Sequence, residues 1–178
     1  MTVRRGRRPC VVDTNVAVVA NRQGGESYSC ANSCAQALLR IRICGLLVLD
    51  SAGQILGEYF RNCSPFHKPG LGNAFVKWVH DNQGKHDLIQ MVAITPRRND
   101  PNDFTEFPQH DDLSGFDPSD RKFVAVANTH PEKPSILQAT DSKWWGWKDA
   151  LLVCGISVEF LCLDEIKEVY SRKFGEET

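Results

Sequence analysis

The sequence predicts an α/β fold: one domain of 178 residues, with a mainly parallel central sheet sandwiched by helices. Three observations predict it. Strand-like and helix-like segments alternate along the chain, which suits parallel strands joined by helical crossovers. Several strand candidates are short, nearly uninterrupted apolar runs, as buried strands are. The segments between them repeat apolar residues at spacings of three and four, the period of a helix with one buried face.

Cys10 to Val12 is a first buried strand leading into Asp13. Ser29 to Cys44 has helical spacing through Ala31, Ala35, Leu38, Leu39 and Ile43, and Gly45 stops it. Leu46 to Leu49 is the second strand. Ser51-Ala-Gly-Gln54 then has the pattern of a capping box, opening a helix through Ile55, Leu56, Tyr59 and Phe60. Leu71 to Asp81 is a helix and Leu88 to Thr95 a strand. Residues 96–115 form a long acidic loop with Pro96, Pro101 and Pro108, of the length that is usually functional or mobile. Asp117-Pro118 starts a helix, with Asp117 as N-cap. Ser135 to Ala139 is a strand, Lys143 to Cys154 a helix, Ile156 to Leu161 a strand, and Asp164 to Phe174 a closing helix.

A formal net charge of −1 gives no global sign of a nucleic-acid partner. The local exception is Arg4, Arg5, Arg7 and Arg8, which make residues 1–9 a basic, mobile N-terminus. The run from Val11 to Ala20 is interrupted by Asp13 and Asn15, unlike a secretory signal, and no stretch approaches the ~20 apolar residues of a membrane span. The expectation is a cytoplasmic protein without a membrane partner. The seven cysteines include no C-x-x-C pair. Cys30 and Cys34 share a helix face, but no second Cys/His pair follows at zinc-finger spacing, so buried free thiols are expected rather than a zinc site.

Four acids stand where an α/β sheet binds ligands, beyond the carboxyl ends of its strands. Asp13 ends the first strand, and Asp141 follows the Ser135 strand. Asp120 lies three residues before Phe123, four before Val124 and seven before Ala127, which puts it on an apolar stripe where a carboxylate needs a partner. Glu58 sits in the helix after the second strand, off its apolar face. Each has an ordinary alternative: a turn cap for Asp13, a helix-dipole partner for Asp120, a helix cap for Asp141, a solvated glutamate for Glu58. Together they suit in-line phosphodiester hydrolysis, in which two hard cations about 3.5–4 Å apart activate water and stabilise the leaving oxygen. Such cations take carboxylate oxygens. Thr14, Asn15, Asp117 and Thr140 are placed to orient these carboxylates.

Val11-Val-Asp-Thr-Asn-Val16, Ile55-Leu-Gly-Glu-Tyr-Phe60, the segment from Phe116 to Ala127 and Leu137-Gln-Ala-Thr-Asp141 follow in an order and spacing that resemble the PIN-domain ribonucleases, a family that includes bacterial toxin nucleases. The resemblance spans most of the chain. It implies a parallel sheet between helices and a Mg²⁺ or Mn²⁺ site of Asp13, Glu58, Asp120 and Asp141. It further implies an endoribonuclease acting on single-stranded or structured RNA; the sequence does not exclude DNA. A toxin or defence role would bring an antitoxin or other regulatory protein as partner. The chain departs from the family in its length, its 96–115 loop and its aromatic Ser-Lys-Trp-Trp-Gly-Trp147 segment. Trp144, Trp145 and Trp147 suit core packing or a homodimer surface; the alternative is that Trp144 and Trp145 stack on bases while Lys143 and Lys148 meet phosphates.

The main competing expectation is a catalytically silent PIN-like interaction module. A phosphatase of the haloacid dehalogenase type needs an Asp where Asn15 stands. A dinucleotide enzyme lacks its G-x-G-x-x-G, and the histidines have no G-x-S-x-G partner.

Overall fold

The structure, a computed structural model, describes residues 6–23 and 25–175. Five parallel strands form the central sheet in the order β3-β2-β1-β6-β7. They are β1 (Arg8–Val12), β2 (Gly45–Asp50), β3 (Ile89–Val92), β6 (Ser135–Gln138) and β7 (Val158–Phe160). The crossovers are helical: α1 (Thr14–Ala20) with α2 (Tyr28–Cys44), α3 (Gln54–Asn62) with α4 (Leu71–Asn82), α5 (Arg121–Thr129), and α6 (Ser142–Val153). Helix α7 (Leu163–Phe174) closes the chain against α6. The α/β architecture expected from the sequence is therefore the one observed.

The core explains the apolar runs. Val11 and Val12 of β1, Leu47 to Leu49 of β2, Ile89 of β3 and Ile136 of β6 are all buried, as parallel strands covered on both faces must be. Helix α5 contributes an unbroken buried run from Lys122 to Ala127 and packs on β1, β2 and β6. On α2 the buried stripe is Cys30, Ala31, Cys34, Ala37, Leu38 and Ile41. It is rotated from the expected one: Leu39 and Ile43 are exposed. Helix α4 comes so close to α1 that a Cβ at Gly72 would collide with the Ala17 carbonyl. The buried Asn73 side chain fastens that junction. Its Oδ1 accepts from Asn21 Nδ2 and from the Ser64 amide, each at 2.9 Å.

Three local expectations are corrected. Residues 8 and 9 belong to β1, and Arg7 Nη1 donates to the Gly45 carbonyl at 2.9 Å, so the ordered chain reaches into the supposed mobile start. Arg4 and Arg5 lie outside the described residues. The cap of α3 is not Ser51 but the buried Asp50, whose two oxygens accept from the Gln54 and Ile55 amides at 2.8 Å each. Residues 96–115 are not an irregular loop. They form an antiparallel hairpin of β4 (Pro96–Arg97) and β5 (Asp100–Phe104), followed by a 3-10 turn at Asp111–Leu113.

The hairpin is held in part by charge pairing at Asp103. Asp103 accepts from Arg121 Nη1 at 2.8 Å and pairs with Arg97 Nε at 3.0 Å. Glu106 accepts from the Thr95 amide at 2.7 Å. Phe104, Phe107, Leu113 and Phe116 are buried in the main core. A Phe104→Ala substitution should therefore destabilise the protein by about 3–5 kcal/mol, measured by denaturant unfolding. A loss below about 1 kcal/mol would mark the segment as peripheral.

Candidate functional site

The strand order places one topological switch in the sheet. The chain runs outward from β1 through β2 to β3, then returns to the other side of β1 with β6 and β7. The crossovers on the two sides leave in opposite directions, and in open α/β sheets the ligand crevice lies at such a point, here the carboxyl ends of β1 and β6. Asp13 follows β1 there, and Thr140 and Asp141 follow β6. The two strand ends are tied by Asn15, whose Nδ2 donates to Gln138 Oε1 and whose Oδ1 accepts from the Ala139 amide at 3.1 Å.

Asp13 is only 5% exposed. Its Oδ1 accepts from the Asn15 amide at 2.9 Å, which also makes it the N-cap of α1. Tyr59, fully buried on α3, donates its hydroxyl to the Val12 carbonyl at 2.6 Å. That bond docks α3 on the end of β1 and brings the adjacent Glu58 to Thr14, whose Oγ1 donates to Glu58 Oε1 at 2.6 Å. Asp117 caps a 3-10 turn, Pro118–Asp120, and Asp120 ends that turn, so α5 proper starts at Arg121 rather than at Pro118. Asp120 Oδ2 accepts from Trp144 Nε1 at 3.2 Å. Asp141 caps α6 through the Lys143 amide at 3.0 Å. The capping alternatives for Asp13 and Asp141 thus describe real bonds, and they coexist with a place at the crevice.

Electrostatics couples the four acids. Burial first, and then the charges of Asp120, Glu58 and Asp141, hold the Asp13 carboxyl well above the usual range, against the opposing Asn15 bond. Burial, with Asp141 and Asp117 next, pushes Asp120 up to about 6. The cluster is not tight. Among the described residues, the only three cysteine, histidine or acidic side chains whose ligand atoms all lie within 4.8 Å are Cys30, Cys34 and Cys162.

Lys122 has a role that sequence reasoning missed. It is buried, its ammonium lies 2.5 Å from Glu58 Oε2, and it also donates to the Ser119 carbonyl. Both oxygens of Glu58 are therefore engaged, one by Thr14 and one by a cation. The signal was available: Lys122 stands four residues before Val126, on the stripe that α5 buries.

The aromatic segment divides. Trp144 is 1% exposed and packs edge-to-face on Phe116 at 5.1 Å, so of the two readings of this segment it takes core packing, and its alternative place as a substrate-stacking residue is withdrawn. Trp145 is half-buried against Phe160, with the ammonium groups of Lys148 and Lys167 4.7 and 5.4 Å from its ring centre. Lys148 also pairs with Asp149 at 2.8 Å. Lys143 is exposed and reaches Asp117 Oδ2 at 3.3 Å. Beside this pair opens a cleft of about 520 Å³ lined by Gly146, Trp147, Tyr170 and Phe174. Trp147, not Trp144, presents the aromatic surface there.

Comparison with protein families, curated proteins and solved structures found no match for this chain.

The raised carboxyls fix a sign for stability against pH. A folded-state value near 6 for Asp120 means that the folded chain binds more protons than the unfolded one between about pH 4 and 6. Metal-free protein should lose stability as pH rises through that window. Asp120→Asn should be more stable than wild type above pH 6, by on the order of 2–3 kcal/mol, and equal to it near pH 4. Denaturant midpoints across a pH series check this; a difference independent of pH would refute the charge coupling. Asp141→Ala should cost about 1 kcal/mol through the lost cap, whereas Asp141→Asn keeps it.

Proposed function

We propose that the chain is a metal-dependent endoribonuclease of PIN type. One observation supports this above others: acids from four separate elements share charge at the switch point of a parallel sheet, where binding sites form. Desolvated carboxylates of one sign are the donor set that a hard divalent cation favours. Asp13, Asp120 and Asp141 would hold Mg²⁺ or Mn²⁺. Glu58, already neutralised by Lys122 and bonded to Thr14, would act from the margin.

A bound Mg²⁺ or Mn²⁺ supplies an acidified water and neutralises charge on the phosphodiester. The protein's own groups do the rest. The Asn15 amide fixes the direction of Asp13, and Trp144 does the same for Asp120. Lys122 keeps a positive charge beside the crevice. Lys143 stands at its rim, able to meet a phosphate of single-stranded RNA. The cleft at Trp147 and Tyr170 would take an unpaired base by stacking. No histidine is required.

A silent interaction module is the second reading, favoured by the loose spacing of the acids and the internal Lys122–Glu58 pair. Labelled RNA incubated with Mn²⁺ separates the two. Cleavage should occur, stop in excess chelator and be lost in Asp13→Asn and Asp120→Asn, with the fold retained. Trp147→Ala should raise KM more than it lowers kcat. No cleavage by wild type, together with no Mn²⁺ binding by calorimetry, would leave the module reading.

A further inference from the structure

Apart from the acids, three cysteines meet at the junction of α2 and the β7–α7 connection. Cys30 and Cys34 lie one turn apart on α2, and Cys162 is the N-cap residue of α7. All three are buried. Cys30 and Cys162 form a disulfide, contrary to the expectation of free thiols: the fold brings together residues 132 positions apart. Cys34 remains a thiol, with its Sγ 3.9 Å from that of Cys162.

We propose that, once the disulfide is reduced, Cys30, Cys34 and Cys162 form a tetrahedral thiolate site for a thiophilic d¹⁰ cation, Zn²⁺, with water as the fourth ligand and Glu26 as that water's hydrogen-bond partner. The geometry supports this directly. A zinc–thiolate bond of about 2.3 Å places neighbouring sulfurs of a tetrahedron about 3.8 Å apart. The Cys34–Cys162 pair already has that spacing. Breaking the disulfide lets Cys30 withdraw to a similar distance by side-chain rotation. Glu26 supplies the second, independent observation: its Oε2 is buried and finds no hydrogen-bond partner. Glu26 directly precedes Ser27, the N-cap of α2, at the start of the helix that carries Cys30 and Cys34. A water on the cation would satisfy that oxygen, and the cation's charge would favour the thiolates.

The chemistry balances with a dithiol as reductant. Two electrons and two protons pass to the Cys30–Cys162 bond, which opens to two thiols as the reductant becomes a disulfide. Zn²⁺ then displaces three thiol protons to solvent as three metal–sulfur bonds form.

Cobalt(II) is the probe, because thiolate ligation gives a sulfur-to-cobalt charge-transfer band that carboxylate ligation does not. The readout is therefore separate from the acidic crevice. Reduced full-length protein should develop the band to saturation at one equivalent and lose it on adding Zn²⁺. Disulfide-bonded protein should show none. Cys34→Ser should lose the band, while Cys63→Ser, whose thiol lies by Asn21, should keep it. Cys34→Ala serves if Ser is not tolerated in the buried position. Glu26→Gln should weaken Zn²⁺ binding by about tenfold or more in competition with a chromophoric chelator. Absence of the band in reduced wild type, or its persistence in the Cys34 variant, would overturn the proposal.

Discussion

The acidic end of the molecule depends on β1 being the central strand of a parallel sheet, hydrogen-bonded to β2 on one side and β6 on the other. A strand so enclosed must be apolar on both faces, and Val11 and Val12 meet that demand. Asp13 is the first charged residue past that buried run, where the chain leaves the sheet. Helix α3 reaches the same point through Tyr59, and β6 reaches it through Asn15 and Gln138. The packing that buries the core thus also fixes where the acids converge.

That convergence has an electrostatic cost, and the chain offsets part of it internally. Lys122 neutralises one acid, Trp144 donates to another, and backbone amides at helix starts take Asp13 and Asp141. Asp50 shows what complete satisfaction of a strand-end aspartate looks like: both oxygens are spent on the amides that open α3. Asp13 shares its surroundings with three other acids instead. Position at a strand end does not distinguish these two residues; the company each keeps does.

Much of the fold was legible because burial periodicity is a local property. The five parallel strands, α2, α4, α6 and α7 follow from apolar spacing within a residue or three at each end. Helix α1 was hidden, since the run from Val11 to Ala20 joins a strand and a helix with only Asp13 between them. Residues 96–115 were misread because prolines and acids suggest solvent, whereas Arg97 and Arg121 neutralise Asp103 from positions the local sequence does not link. The placement of Asp13, Asp120 and Asp141 was legible from strand ends and a helix stripe. The Lys122–Glu58 pair, the burial of Trp144 and the Cys30–Cys162 bond were not, because each joins separate elements.

The β4–β5 hairpin gives the crevice a mechanical handle. Asp103 grips Arg121, the residue between Asp120 and Lys122, so the stem of the hairpin is tied to the first turn of α5. Its tip, Arg98 and Asn99, stays exposed. A fluorophore or a short insertion carried at that tip would stay in solvent. It would still be joined, through a folded stem and one guanidinium, to the turn that aims an acid and its neighbouring cation.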